Sequence, residues 1–472
     1  MKKTDLKGKK VLVMGLGLHG GGSATARYLS EQGARVSCTD LRSEEELESS
    51  LKALEDLDIH YILGRHREED FDNADIIVKN PAVPSNSRWL TGRKNIETDI
   101  SLFLQASSSP LLAVTGSKGK STAVSALYHI LKQQYPGTKL GGNITLSPLS
   151  FVGELTPDDP VILELSSWQL ADLRGRNLLR PKITCITNLM HDHQNRYESF
   201  EAYEADKTVI LENLGPEDYA VFPDDDYGKR WSEMSRGTSL PVRNSSPDRD
   251  DFQGAFLDEK GRGWFIFNRE GKTEKEEREL LIPGNLMVPG EPFRINLLFA
   301  SAMAKLWGCG SDSILNAAST YPGIPYRLEM FLESDGIRYY DDTTATIPEA
   351  CAAAVEAMDR PVILIAGGTD KDLDFTPFDR AASIPKKIIM LAGSASETWI
   401  PRLHSAGIKT EGPYENMDEA VSAAVGSAEP GDAVLLSPGA TSFEMFQHEF
   451  KRGDAFKKAC RKETGTAEKN LK

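Results

Sequence analysis

Residues 115–122, Thr-Gly-Ser-Lys-Gly-Lys-Ser-Thr, follow directly on the apolar run Leu111-Leu112-Ala113-Val114 and precede a stretch of helical composition, Ala123 to Leu131. That order leaves few folds open. A buried strand that ends in glycines and reopens as a helix aims successive backbone N–H groups and the positive helix terminus at one point, which makes a cradle for phosphate. Gly116, Ser117, Lys118, Gly119, Lys120, Ser121 and Thr122 are therefore the expected nucleotide-binding loop. Lys120 would neutralise β/γ-phosphate oxygens and the Ser121 hydroxyl would ligate Mg²⁺. The common GxxxxGK[ST] spacing needs glycine at position 114, where this chain has Val114, so the loop is the shorter G-x-x-G-K-S-T. A surface turn rich in glycine and lysine is the alternative; it does not explain why glycines, lysine and hydroxyls fall in order between strand and helix.

At 472 residues the chain is too long for one core, and several domains are expected. Hydrophobic residues make up 40%, with no apolar run long enough to span a bilayer, which points to a soluble cytoplasmic protein without membrane association. The basic, partly apolar start resembles a signal peptide only superficially, because glycines at 15, 17, 20, 21 and 22 interrupt it. Five cysteines without paired metal spacing are expected to be reduced and mostly buried. A net charge of −15 argues against a nucleic-acid surface, although an anionic substrate can still meet a local basic pocket.

The chain reads as three α/β domains: 1–98, 99–323 and 324–472. In the first, a strand from Lys10 to Met14, the turn Gly15-Leu16-Gly17-Leu18-His19-Gly20, a helix to Gln32 and a strand from Ala34 ending at Asp40 form a βαβ unit. This turn is compatible with a dinucleotide fold, a mononucleotide site or a tight strand-to-helix turn. The second domain carries the phosphate loop and the strands Val161 to Glu164 and Lys182 to Thr187, which predict a mostly parallel sheet with ligands at the carboxyl ends of its strands. From about Pro223 to Pro283 short strands and turns replace this pattern, and the charged run Lys272 to Glu279 reads as a solvated loop. A helix from Arg294 to Leu306 leads to a boundary at Tyr321-Pro322-Gly323-Ile324-Pro325. The third domain repeats the alternation, with strands ending before Gly367-Gly368, Gly393 and Ser437-Pro438; Arg461 to Lys472 read as a frayed polar tail.

Polar groups gather around the phosphate loop. Glu164, closing an apolar strand, stands where a metal ligand is expected, or else at an edge facing water. His191 and His193 at i,i+2 could suggest a transition metal, but no cysteine or third clustered histidine supports zinc, and oxygen chemistry with Mg²⁺ suits the neighbourhood better.

TGSKGKST, Gly142-Asn143-Ile144, ELSSWQL at 164–170, Asn188 to His193 followed by Arg196-Tyr197, and Tyr203-x-x-x-Lys207 together resemble the Mur ligases of peptidoglycan synthesis. So do Arg327, Asp342, Ala345-Thr346, GGTDKDLDF at 367–375 and LLSPGATSFEMF at 435–446. The resemblance covers nearly the whole chain. It implies a Rossmann-like N-terminal domain for the UDP-linked substrate, a central P-loop ATPase and a Rossmann-like C-terminal domain that presents the amino acid. It further implies an ATP-dependent, monomeric, amide-forming ligase that adds glutamate, best matched to D-glutamate, to UDP-N-acetylmuramoyl-L-alanine. Leu18, His19, Asp40 and Arg42 would lie at the uridine end. Lys120, Asn296, Arg327 and Asp342 would hold ATP. Ser121, Glu164, His193 and Lys207 would surround two Mg²⁺ ions, with a carbamate from CO₂ on Lys207, though a plain exposed helical lysine is the alternative there. Lys120, His193 and Lys207 would be catalytic, Asn143 and Gln169 would face the muramoyl group, and Thr346, Lys371 and Ser442 the incoming glutamate.

The chain departs from the family pattern at two places. Pro292-Phe293 stand where His-Asn is usual, so one adenine contact is expected to be lost or replaced; Thr344 and Ile347 stand where lysine and asparagine are common, which leaves L-glutamate as a rival substrate. A folylpolyglutamate synthetase-like ligase would use the same chemistry, and GLGLHG with Asp40 alone would also fit a nicotinamide dehydrogenase.

Overall fold

The computed structural model describes residues 5–18, 20–84, 86–144, 146–190, 197–248, 251–268 and 278–466. The chain divides into two compact units, Met1–Gly284 with Ile295–Ala318, and Asn285–Arg294 with Ser319–Lys472.

The first unit contains two sheets. One joins β1 (Lys10–Met14), β2 (Arg35–Asp40), β3 (His60–Leu63), β4 (Ile76–Lys79) and β5 (Ile96–Glu97), all parallel, in the order β3-β2-β1-β4-β5. Continuous apolar strands such as Val11-Leu12-Val13-Met14 suit a sheet covered on both faces. The chain leaves β1 toward one side and returns to β4 on the other. The loops after β1 and β4 therefore diverge, and a crevice opens at that switch point.

The other sheet joins β6 (Leu111–Thr115), β7 (Lys139–Gly142), β8 (Val161–Glu164), β9 (Ile183–Ile186), β10 (Tyr219–Pro223), β11 (Thr238–Arg243), β12 (Gly254–Leu257), β13 (Gly263–Ile266) and β14 (Glu279–Ile282). Its order is β14-β13-β12-β11-β10-β9-β6-β8-β7, parallel except for the β12-β13-β14 extension. β6 lies between β8 and β9, a second switch point, and the phosphate loop leaves from it. The antiparallel extension is the region of short strands expected after Pro223. Most of the charged run Lys272 to Glu279 lies outside the described residues, but Glu279 opens β14 and pairs with Lys305. The helix Glu291–Trp307 starts three residues earlier than expected, since proline is tolerated in a first helical turn where its missing N–H has no partner to lose. One apolar core, including Val11, Leu29, Phe103, Leu163 and Trp231, runs through both sheets.

The second unit has one sheet of β15 (Glu329–Ser334), β16 (Ile337–Asp341), β17 (Val362–Gly367), β18 (Lys387–Leu391), β19 (Thr410–Tyr414) and β20 (Ala433–Leu436), ordered β15-β16-β20-β17-β18-β19. Successive residues serve opposite faces: Leu364 packs with Trp399 on one, Ile365 with Val421 on the other. The expected polar tail begins too early. Helix Glu449–Glu463 includes Arg461, because Phe456, Ala459 and Cys460 form a buried stripe that draws its last turns onto the sheet, while 467–472 lie outside the described residues. All five cysteines are free and buried, and burial pushes the Cys38 thiol up to about 12. Among the described residues no helix is long and apolar enough to cross a membrane.

Candidate active site

At the end of β6 the chain turns through Gly116 (φ +147°), where an added Cβ would lie 2.0 Å from Thr187 Oγ1, so the loop packs directly on the end of β9. Asn188 secures it: Lys118 N–H donates to its Oδ1 at 2.9 Å and its Nδ2 donates to the Lys118 carbonyl at 3.1 Å. Gly119 (φ +81°) caps helix Lys120–Gln134, whose buried Ala123, Val124, Leu127, Ile130 and Leu131 hold it to the sheet. The first intrahelical bond is Ala123 N–H to Gly119. The amides of Lys120, Ser121 and Thr122 thus have no intrahelical acceptor and mark the anion-binding end.

Three distant residues converge on this loop. A Cβ on Gly119 would meet the buried Asn296 side chain at 2.2 Å. Lys207 is 1% exposed, lies with Nζ 4.5 Å from the Tyr203 ring centroid and donates to the Gly116 carbonyl at 2.7 Å; the exposed-lysine alternative is thereby removed. Tyr203 in turn places its hydroxyl 3.0 Å from Ser117 Oγ, which also accepts from Met190 N–H at 2.9 Å. Ser117 is therefore engaged in holding the loop. Lys120 Nζ donates to the Gly116 and Ser117 carbonyls at 2.9 Å each, so two ammonium groups meet around one carbonyl. His193 lies outside the described residues, as does His19.

Glu164 ends β8 at 1% exposure and accepts from Asn143 Nδ2 at 3.0 Å, while Asn143 N–H donates to the Glu164 carbonyl at 2.8 Å. The alternative of an edge carboxylate facing water is removed by that burial. Gln169 caps its own short helix, with Oε1 accepting from Ser166 N–H at 3.0 Å. Among the described residues no three His, Cys, Asp or Glu side chains come together as a ready-made metal cage. The oxygen donors Ser121 and Glu164 suit a hard cation that takes its other ligands from water or phosphate.

In the same unit a cleft of about 650 Å³ opens at the first switch point and is lined by Leu18, Asp40 and Arg42 together with Asn143 and Gln169. Five sequence-predicted residues therefore share one cavity. Asp40 shapes it, with Oδ2 accepting from Gly17 N–H at 3.1 Å and Oδ1 from Arg42 N–H at 3.0 Å. Gly22 has to be glycine here, since a Cβ would lie 2.2 Å from the Leu16 carbonyl oxygen.

Sequence reasoning missed Lys79, Asp99, Ser147 and Asp172. Lys79 closes β4 and pairs with Asp172 at 2.6 Å, both groups under a tenth exposed; Ser147 donates to Asp99 at 2.9 Å. Burial holds the Asp172 carboxyl above the ordinary range even against Lys79, and does the same to Asp99. A charge closing the apolar strand Ile76–Lys79 was the available signal, the same one that singled out Glu164.

In the second unit, Asp342 accepts from Leu328 N–H at 3.0 Å and Ser437 Oγ at 2.7 Å, and burial lifts its pKa to about 7. Exposed Arg327 sits between Tyr326 (φ 65°) and Leu328 (φ 45°), left-handed conformations that non-glycine residues adopt at a cost. Thr344, standing in the lysine position, donates to the Tyr326 carbonyl at 2.9 Å and so braces that bend. Phe293 stacks on Tyr321 with centroids 5.7 Å apart. The loops after β17 and β20 are joined by Thr369 and Thr441, which brings Lys371 Nζ to 4.2 Å from the Phe443 ring centroid, next to Ser442. Ser442 is 2% exposed, and its hydroxyl has no hydrogen-bond partner among the described residues. Thr346 lies beside Ala345, whose carbonyl accepts from Gly439 N–H at 2.8 Å, so its loop is tied to the one after β20. Buried Arg452, also unforeseen, donates to the carbonyls of Thr343, Ala440 and Thr441 and pins the same two loops.

Residues 9–100 match the MurD-like N-terminal domain of Mur ligases, 114–304 the Mur ligase middle domain and 326–439 the Mur ligase glutamate ligase domain. The UDP-N-acetylmuramoylalanine–D-glutamate ligase of Borreliella burgdorferi (strain ZS7) is 40% identical over 97% of this chain and 98% of its own length. The ligase of the same name from Treponema pallidum (strain Nichols) is 38% identical over the same shares. Among solved structures, the UDP-N-acetylmuramate–alanine ligase MurC of Thermotoga maritima superposes with a TM-score of 0.54 at 19% identity, covering 96% of this chain and 99% of that one, which shows the shared fold. The chain belongs to the Mur ligase family.

Proposed function

We propose that this chain joins D-glutamate to UDP-N-acetylmuramoyl-L-alanine in cytoplasmic peptidoglycan precursor synthesis, consuming ATP and acting as a monomer. The observation that carries the reading is the convergence of Lys120, Lys207 and Asn296 on one phosphate loop, in a chain 38–40% identical to ligases of that name over nearly its full length. Residues 1–98 hold the UDP-linked acceptor, 99–323 the ATP and 324–472 the amino acid. The dehydrogenase alternative finds no support in this family membership.

A carboxylate acylates poorly, so the γ-phosphoryl group of ATP first passes to the alanyl carboxylate and forms an acyl phosphate. The loop from Gly116 to Thr122 binds the phosphates, and Lys120 offsets the charge where two anions approach. Asn296, Arg327 and Asp342 hold the rest of the nucleotide. Asn143 and Gln169 orient the acceptor; no protein nucleophile is required, and positioning supplies much of the rate. The glutamate amine then attacks the acyl phosphate and phosphate leaves. Lys371, Ser442 and Thr346 hold the amino acid, the buried Ser442 hydroxyl offering its proton to a carboxylate.

Ser121, Glu164, His193 and a carbamylated Lys207 would hold two Mg²⁺ ions, which supply charge neutralisation at the phosphates. An ordinary lysine with pKa near 10.4 is neutral in only about one molecule in a thousand at pH 7.4. CO₂ reacts only with the neutral amine, so the buried surroundings of Lys207 and the metal ions would have to offset that cost.

Phosphate release decides the matter. It is expected only when ATP, the UDP-muramoyl acceptor and glutamate are all present, with D-glutamate faster than L-glutamate or D-aspartate at equal concentration. Release without acceptor, or a clear preference for the L-isomer, overturns the corresponding part of the assignment.

A further inference from the structure

Helix Glu449–Glu463 lays Phe456, Ala459 and Cys460 on the sheet of the second unit, and another of its faces meets the bend around Arg327. Phe450, Gly453, Asp454 and Lys457 are spaced i, i+3, i+4 and i+7, so they share one side of the helix. Phe450 meets the Tyr326 ring edge-on with centroids 5.1 Å apart. A Cβ on Gly453 would lie 2.7 Å from Tyr326 Cδ1 and 2.7 Å from Asp341 Oδ2, so the helix comes as near as glycine permits. The Tyr326 hydroxyl donates to Asp454 Oδ1 at 2.8 Å, and Lys457 Nζ lies 4.1 Å from the centroid of the same ring.

Lys457 also bridges two carboxylates, Glu329 at 2.5 Å and Asp341 at 3.3 Å, with Asp341 wholly buried. Glu329 Oε2 in turn accepts from Tyr326 N–H at 2.8 Å. One ammonium therefore compensates the interior charge of Asp341 and fixes the acceptor that holds the Tyr326 backbone. Left-handed φ at Tyr326 and Leu328, neither of them glycine, persists only where surrounding contacts over-determine it. The helix supplies those contacts at Tyr326; Asp342 and Thr344 complete them, accepting from Leu328 N–H and donating to the Tyr326 carbonyl. Arg327 sits between the two strained residues.

We propose that Lys457 is a positioning residue for nucleotide binding: by holding Glu329 and the Tyr326 ring it keeps the bend left-handed, and the bend presents the Arg327 guanidinium to ATP. The inference rests on the reading that Arg327 holds ATP, and it gives the last helix a task that none of the sequence motifs indicated.

Initial rates of the full-length chain, with ATP varied at saturating acceptor and D-glutamate, test it. Arg327→Ala is expected to raise KM for ATP at least about 10-fold. Lys457→Met, which keeps the apolar stem and removes the charge, should raise it about 5- to 10-fold and leave KM for the acceptor within about twofold, while Lys457→Arg stays near wild type. Placed on Arg327→Ala, Lys457→Met should add nothing, because a residue that acts through the guanidinium has no effect once the guanidinium is gone. Thermal unfolding reports on the fold of each variant. Should Lys457→Met not fold, Tyr326→Phe decides in its place: it loses only the bond to Asp454 and should raise KM for ATP about two- to threefold. Wild-type KM for ATP in the deciding variant, or an effect of Lys457→Met that adds in full to that of Arg327→Ala, overturns the role of Lys457 and leaves Arg327 at the nucleotide. An unchanged KM for ATP in Arg327→Ala overturns both.

Discussion

The first unit builds the same backbone device twice and puts it to different uses. Helix Gly21–Glu31 begins from Gly20 at φ 82°, and helix Lys120–Gln134 from Gly119 at φ 81°, each directly after a parallel strand at a switch point of its sheet. The backbones are nearly interchangeable at these caps, and the side chains are not. Around Gly119 stand Lys120 and Lys207; around the Gly15–Gly20 turn stands Asp40, accepting the Gly17 amide. A glycine-rich turn supplies oriented N–H groups, but the charges brought against it decide whether it stabilises a reacting phosphate or shapes a binding wall.

If that contrast holds, substitutions at the phosphate loop change kcat and substitutions at the first loop change KM. The largest effect is expected for Lys120→Ala, with kcat down about 10³-fold and the thermal unfolding midpoint within a few degrees of wild type. Near-normal turnover would remove the loop from the chemistry and dissolve the contrast.

Lys207→Ala should lose roughly 10²- to 10³-fold in kcat, with part of the activity returning on addition of formate or acetate, which replace the anionic carbamate. Full activity without additive would show that the buried lysine only braces Gly116.

Asp40→Ala removes a carboxylate that accepts two backbone amides, and charge-assisted bonds of this kind imply a rise of roughly 30-fold in KM for the UDP-linked acceptor. kcat at saturation should stay within about twofold. A loss confined to kcat would mean that the first loop takes part in the phosphoryl step after all.

The smallest effect is expected at Lys371, an exposed cation remote in sequence from both loops. Lys371→Ala should raise KM for D-glutamate roughly 10-fold and leave KM for ATP unchanged. A change in KM for ATP would assign this lysine to the nucleotide and show that cations outside the phosphate loop share its work.

Much of this protein was legible residue by residue. Strand and helix alternation identified the α/β sheets, and the glycines of 115–122 marked the phosphate loop, because period, apolar runs and left-handed φ are local properties of the backbone. A charge at the end of an apolar strand found Glu164 and, applied as consistently, would have found Lys79. The third sheet was read less well at its close, where helix Glu449–Glu463 continued past the expected start of the tail. Its stripe of Phe456, Ala459 and Cys460 is short and flanked by lysines and arginines, so local composition suggested solvent where packing on the sheet decided otherwise.

The sequence by itself determined the elements and the phosphate loop, since each depends on residues a few positions apart. The tertiary structure alone decided who meets that loop and that cleft. Lys207 reaches the Gly116 carbonyl across 91 positions, Asn296 fills the space that only glycine at 119 leaves, and Lys79 finds Asp172 in the interior. Such pairings follow from which strands become neighbours in a sheet, and that order is settled by burial of the whole apolar core and not by the residues that end up in contact.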